Sequence, residues 1–67
     1  MTTVRVNGSV VVLEDGSTVA DAVAALIPTD RGVAVAVDRS VVPRSRWTRE
    51  VLADGAVVEV VTAAAGG

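Results

Sequence analysis

The chain of 67 residues contains no cysteine, no histidine and no lysine, and Trp47 is its one aromatic residue. Without cysteine, neither a disulfide framework nor a thiolate metal site can reinforce the core. The joint absence of cysteine and histidine removes the most reactive nucleophile, the usual metal ligands and the side chain best suited to proton transfer near neutral pH. We therefore expect no catalytic residue, no metal site and no bound cofactor. All positive charge is arginine, and six arginines against eight acidic residues leave a net charge of -2 and a pI near 4.7. That balance offers no basic footprint for a phosphate backbone, so nucleic acid is not an expected partner. Long hydrophobic runs are missing too: no apolar stretch approaches the roughly 20 residues a membrane-spanning helix needs, and no charged leader precedes an apolar segment. We expect a soluble, cytoplasmic protein with no membrane partner. Its size allows one domain, which buries only about 60% of the surface its unfolded chain exposes.

What is present is apolar and ordered by period. In "VRVNGSVVVL" an Asn-Gly pair separates two apolar runs, the pattern of a tight hairpin whose central residues need positive φ. Strands are predicted at about Thr3 to Val6 and Val10 to Leu13. Val4 and Val6 share a buried face and Arg5 points away; the second run is too uniformly apolar for its faces to be told apart. The period then changes. Val19, Ala22, Val23, Leu26 and Ile27 recur at the spacing of one helical stripe, with Thr18 as N-cap, Asp21 as the capping-box acid and Pro28 as the stop. "VAVAV" at 33–37 is a strand apolar on both faces, Val33, Val35 and Val37 on one side and Ala34 and Ala36 on the other, as expected of an interior strand. "VV" at 41–42, halted by Pro43, reads as an edge strand. Residues 44–52 read as a loop with an irregular helical turn, and "AVVEVV" at 56–61 as the last strand.

The order strand, strand, helix, strand, strand, strand defines an α+β protein in which one helix packs across a mixed sheet of about five strands. This order resembles the ubiquitin-like β-grasp fold, which places the last strand in the middle of the sheet and parallel to the first. A domain over residues 1–62 then leaves 63–67, "AAAGG", as a flexible tail with nothing to hold it down. Gly66 and Gly67 lack a Cβ, so the tail can enter a narrow slot and present its carboxylate to another surface.

"VNG" at 6–8, "DGSTVADAVAAL" at 15–26, "VAVAVDRSVVPRSRW" at 33–47, "LADGAVVEVV" at 52–61 and the closing "GG" together resemble ThiS, the small sulfur carrier family of thiamine biosynthesis. The segment "VVPRSRW" is the most specific element. "DRS" at 38–40 departs from the Asn-Gly type of turn more usual in the family. The resemblance implies that the Gly67 carboxylate is adenylated, with ATP as co-substrate, by a ubiquitin-activating-type enzyme of the ThiF kind. Ala64, Ala65 and Gly66 would lie in that enzyme's channel. Sulfur from a donor such as a cysteine desulfurase would convert the end to a thiocarboxylate, and a ThiG-type thiazole synthase would receive it. The carrier would be a co-substrate, not an enzyme. An activated acyl end is open to amines and thiols, and the absence of lysine and cysteine has either that meaning or none beyond composition.

Ala34, Ala36, Arg44, Arg46 and Trp47 are the candidate partner surface, Trp47 having a structural role in the sheet or loop as its alternative. At 51% apolar residues and with one short helix, part of the sheet is expected to stay uncovered and to serve as an interface for both enzymes. Alternative readings are a carrier like the small subunit of molybdopterin synthase, a ubiquitin-like protein tag, and a passive interaction module.

Overall fold

The computed structural model of the chain describes residues 1–27 and 32–62. Strands β1 (Thr2–Val6) and β2 (Ser9–Leu13) pair antiparallel with Val6 opposite Ser9. Asn7 and Gly8 turn the chain between them with φ of 51° and 87°, the left-handed pair that an Asn-Gly hairpin requires. Helix α1 (Val19–Leu26) begins at the expected cap: the Thr18 hydroxyl accepts the Asp21 N–H at 3.2 Å and the Asp21 carboxylate accepts the Thr18 N–H at 2.9 Å. The helix ends at Ile27, which turns extended while its N–H still donates to the Val23 carbonyl. Pro28, the expected stop, lies outside the described residues.

The apolar stripe is shorter than the sequence suggests. Val19, Ala22 and Val23 are buried and Ile27 is half-buried, but Leu26 is 41% exposed, which corrects its place in the core. Its direction around the helix is right and its position along it is not. The fully buried residues stop at Val23, and Leu26 rides on the final turn of an eight-residue helix.

Strands β3 (Val33–Val37), β4 (Ser40–Val42) and β5 (Val57–Thr62) complete one sheet in the order β2-β1-β5-β3-β4. The last strand is central. It runs parallel to β1, with Arg5 opposite Val57 and Val6 opposite Val58, and antiparallel to β3, with Val33 opposite Thr62. β4 forms the far edge, three residues long and followed by Pro43. The turn between β3 and β4 is made by Asp38 and Arg39, at φ of 49° and 72°, so "DRS" builds the left-handed two-residue turn without a glycine.

Val4, Val6, Val35, Val42 and Val58 face the helix and form the core with it. The irregular stretch between β4 and β5 closes that core. A 3₁₀ turn (Arg44–Arg46) leads into Trp47, which is buried together with Leu52 and Ala56. The same stretch satisfies the open N–H groups at the start of α1: Val19 donates to the Glu50 carbonyl at 2.9 Å and Ala20 to that of Trp47 at 3.0 Å. Among the described residues no helix is long and apolar enough to cross a membrane.

Candidate functional site

Alternation along the strands decides what the second face of the sheet presents. With Val4, Val6, Val35 and Val58 turned to the helix, their neighbours point the other way, and no element among the described residues covers them. Val41 is 76% exposed, Val61 62%, Val10 60% and Val12 55%, and Val57 and Ala34 are exposed beside them. Val10 and Val12 lie across Arg5 and Thr3 of β1 from the rest, whereas Ala34, Ala36, Val41 and Val61 adjoin one another across β5, β3 and β4, an exposed apolar patch of the kind often found at protein interfaces.

Over β5, β3 and β4, on one side of this surface, lies a shallow trough of about 210 Å³ lined by Ala34, Ala36, Val41, Glu59 and Val61, with Val35 at its base. Its shape follows from register. Ala36 stands between Val41 on β4 and Glu59 on β5, and Ala34 stands beside Val61, so the small residues of β3 leave a hollow between larger neighbours on both sides. Ala34 and Ala36 therefore belong to the open face, as the sequence suggests.

The other expected contributors separate. Trp47 is not a partner surface: it is 4% exposed, and its Nε1–H donates to the Val42 carbonyl at 2.9 Å. A lone aromatic side chain in a chain built of valine and alanine supplies the bulk the core needs, and burial of its ring is affordable because the indole N–H finds an acceptor. Arg44 lies over that ring, its guanidinium carbon 5.7 Å from the ring centroid. Arg46 reaches Glu50, Nη2 to Oε1 at 3.1 Å, one helical turn on. Both arginines are exposed, and neither lines the trough.

β4 passes Val42 opposite Val35 and enters the 3₁₀ turn at the end of the sheet where β5 reaches Thr62. The central strand thus ends at the same end of the sheet as β4. Ala64, Ala65, Gly66 and Gly67 lie outside the described residues. Among the described residues no three carboxylates gather in a way that could hold a metal ion.

Sequence reasoning missed Val10, Val12, Val41, Val57, Glu59 and Val61 as members of this surface. The signal was present for β5, where "VVEVV" sets its acid on one face, but β2 reads as five residues with no polar side. Only the pairing of Val4 with Val11 shows that Val10 and Val12 face outward.

A mixed five-stranded sheet crossed by one helix, with its last strand central and parallel to its first, is the ubiquitin-like β-grasp architecture. Here it carries an open apolar face beside the strand that leads to the C-terminus. The chain belongs to the ThiS family, whose model matches residues 2–67 and so takes in the terminal diglycine. Among solved structures it is similar to a thiamine biosynthesis protein (ThiS) from Geobacter metallireducens, with 23% identity, a TM-score of 0.83, and coverage of 98% of this chain and 100% of that one. At that identity the likeness concerns the fold. No curated protein sequence matches the chain.

Proposed function

We propose that the chain is a sulfur carrier of thiamine biosynthesis, in which the Gly67 carboxylate is the working group. The observation that carries this reading is the family match through residue 67, which includes "GG" as part of the matched pattern. A carboxylate at neutral pH is a poor electrophile, so it must first gain a leaving group. An adenylating enzyme of the ThiF type would let the Gly67 oxygen attack the α-phosphorus of ATP, releasing pyrophosphate and leaving an acyl-adenylate. The terminal sulfur of a cysteine-derived persulfide then attacks the carbonyl carbon and expels AMP. A thiol cleaves the resulting sulfur–sulfur bond, leaving the thiocarboxylate on Gly67 and a disulfide on the donor side. That thiocarboxylate supplies sulfur to a ThiG-type thiazole synthase.

The chain's own part is to dock and to present. The open face offers apolar area for docking on the two enzymes in turn, and the tail is thin enough to enter an active-site channel, Ala64, Ala65 and Gly66 within it. The carrier supplies no catalytic side chain.

The intact mass of the protein isolated from cells and of the purified protein incubated with ATP, activating enzyme and sulfur donor tests the reading. The expected product is one oxygen replaced by one sulfur at the C-terminus. Recovery of isopeptide conjugates would make the chain a protein tag, and recovery of unmodified chain alone would make it a passive module.

A further inference from the structure

Besides the hydroxyl of Thr3, the strands place two charged residues on the largely apolar open face, Arg5 on β1 and Glu59 on β5. They differ in setting. Arg5 stands opposite Val57, on the far side of β5 from the trough, whereas Glu59 is part of the trough wall. Glu59 is exposed and forms no hydrogen bond or ion pair among the described residues. A partner surface that was purely apolar would strip water from this carboxylate and return nothing, at a cost that grows as the cover becomes complete. The alanines of β3 would also be left under a void.

One kind of group answers both features: an apolar stem to lie over Ala34 and Ala36 between Val41 and Val61, and a cationic head to meet Glu59. Arginine suits the place better than lysine. Its guanidinium forms two parallel hydrogen bonds to a carboxylate and is more weakly hydrated than an ammonium, so less is lost when the contact is covered. We propose that the trough is a socket for an arginine side chain of the adenylating enzyme, with Glu59 as its specificity-determining anion. The proposal rests on the reading of the open face as the docking surface of a sulfur carrier.

The test is the steady-state kinetics of C-terminal adenylation by the purified activating enzyme, with wild type, Glu59→Gln and Glu59→Leu carriers at low and high salt. Glu59 is exposed, so the variants keep the fold, which circular dichroism verifies. A socket for a cation requires Glu59→Leu to raise KM by about tenfold or more, with Glu59→Gln between it and wild type, because truncating one partner of a covered charge pair strands the other. The salt dependence of KM should weaken in both variants. The opposite sign is equally informative: an unchanged or lowered KM for Glu59→Leu, the more apolar surface, would overturn the proposal. A double-mutant cycle completes the test. One surface arginine of the enzyme, changed to alanine, should raise KM for wild type and have little effect on Glu59→Leu; no such arginine, or a lysine in that role, would also overturn it. Failure to adenylate even the wild type would remove the sulfur-carrier reading and this inference together. Normal adenylation of the wild type with an unaffected Glu59→Leu would remove the inference alone.

Discussion

The side-chain amide of Asn7 holds both backbone polar groups of Val60: Nδ2 donates to the Val60 carbonyl at 3.1 Å, and Oδ1 accepts the Val60 N–H at 2.8 Å. β1 pairs with β5 through Val58 and then turns away, so the amide extends the ladder by one more position on a strand that would otherwise have only β3 beside it there. Only a carboxamide offers a donor and an acceptor in that arrangement. Asn7→Asp keeps the acceptor and tolerates the left-handed turn, but loses the donor; denaturant melts should show a loss of about 1 kcal/mol. Asn7→Gly keeps the turn and loses both bonds. Hydrogen exchange at the Val60 amide should rise in Asn7→Gly and stay slow in Asn7→Asp. Unchanged stability in both would assign Asn7 to the turn alone.

Arg39→Gly should stabilise the protein. Arg39 sits at φ of 72°, a conformation costing a side-chain-bearing residue about 1–2 kcal/mol, against about 0.5–1 kcal/mol of added chain entropy for glycine. The expected gain is about 0.5–1 kcal/mol by denaturant unfolding. Asp38 must be left in place, since its N–H donates to the Val57 carbonyl at 2.8 Å and its carboxylate accepts the Val57 N–H at 2.9 Å.

The two leucines flanking the middle of the chain should respond unequally to truncation. Leu52 is 2% exposed and packed in the core, so Leu52→Ala should cost about 2–5 kcal/mol. Leu26→Ala, on the overhanging turn of α1, should cost less than about 1 kcal/mol. Equal losses in urea melts would place Leu26 in the core after all.

The helix, the hairpin and the edge strand were legible because each depends on local chemistry or on period, whereas the central, parallel place of the last strand came from the resemblance of the element order to the β-grasp fold. Asn7-Gly8 sets a turn, Thr18 and Asp21 set a cap, and Pro43 ends an edge. The irregular stretch was read only as loop, and yet Leu52, Ala56 and the capping of Val19 and Ala20 come from it. Nothing periodic marks those positions, because their burial follows from where the stretch crosses the helix start. Of the candidate site, Ala34 and Ala36 were legible from strict alternation in "VAVAV", whereas Val41 and Val61 needed the register between strands. Trp47 was legible as a structural residue, since the sole aromatic side chain in a chain short of bulk is needed by the core, and its burial leaves the other reading, a partner hot spot, without a surface.

Asp15 accepts the amino terminus at 3.0 Å and the Thr2 hydroxyl at 2.9 Å. These two bonds, the ammonium first, hold its carboxyl below the usual value of 3.8. A folded-state value below the unfolded one means that the contribution to stability is fully present above the unfolded value and is lost as pH falls through the folded one. Acid unfolding of Asp15→Asn should therefore depend less steeply on pH below about 3.8 than that of wild type. Acetylation of the amino terminus should return the Asp15 titration, followed by carboxyl carbon NMR, toward the ordinary value. Both groups are largely exposed, so added salt should shrink the shift.

Deletion of Gly67 should leave the melting curve unchanged and abolish sulfur loading. Removing one residue draws the carboxylate back by up to about 3.5 Å along an extended chain, and a misplacement of about 1 Å at a reacting centre can cost on the order of a hundredfold in rate. Gly66→Val should fail by bulk, since it places a branched Cβ where the proposed channel would admit none. Intact-mass spectrometry after incubation with the activating enzyme, ATP and a sulfur donor reads both. Normal loading in either variant would make the diglycine dispensable.

The parallel pairing of β1 with β5 has a consequence for how the protein is made. The strand that fills the centre of the sheet is synthesised after the other four, so β1 and β3 have nothing to join them until residues 57–62 have been made. Non-local pairing of this kind delays folding until the whole chain is available. A chain released before residue 57 lacks the central strand, and its remaining strands have no sheet to complete. The order of the strands thus makes folding wait for the central strand: what is folded has been translated at least through residue 62.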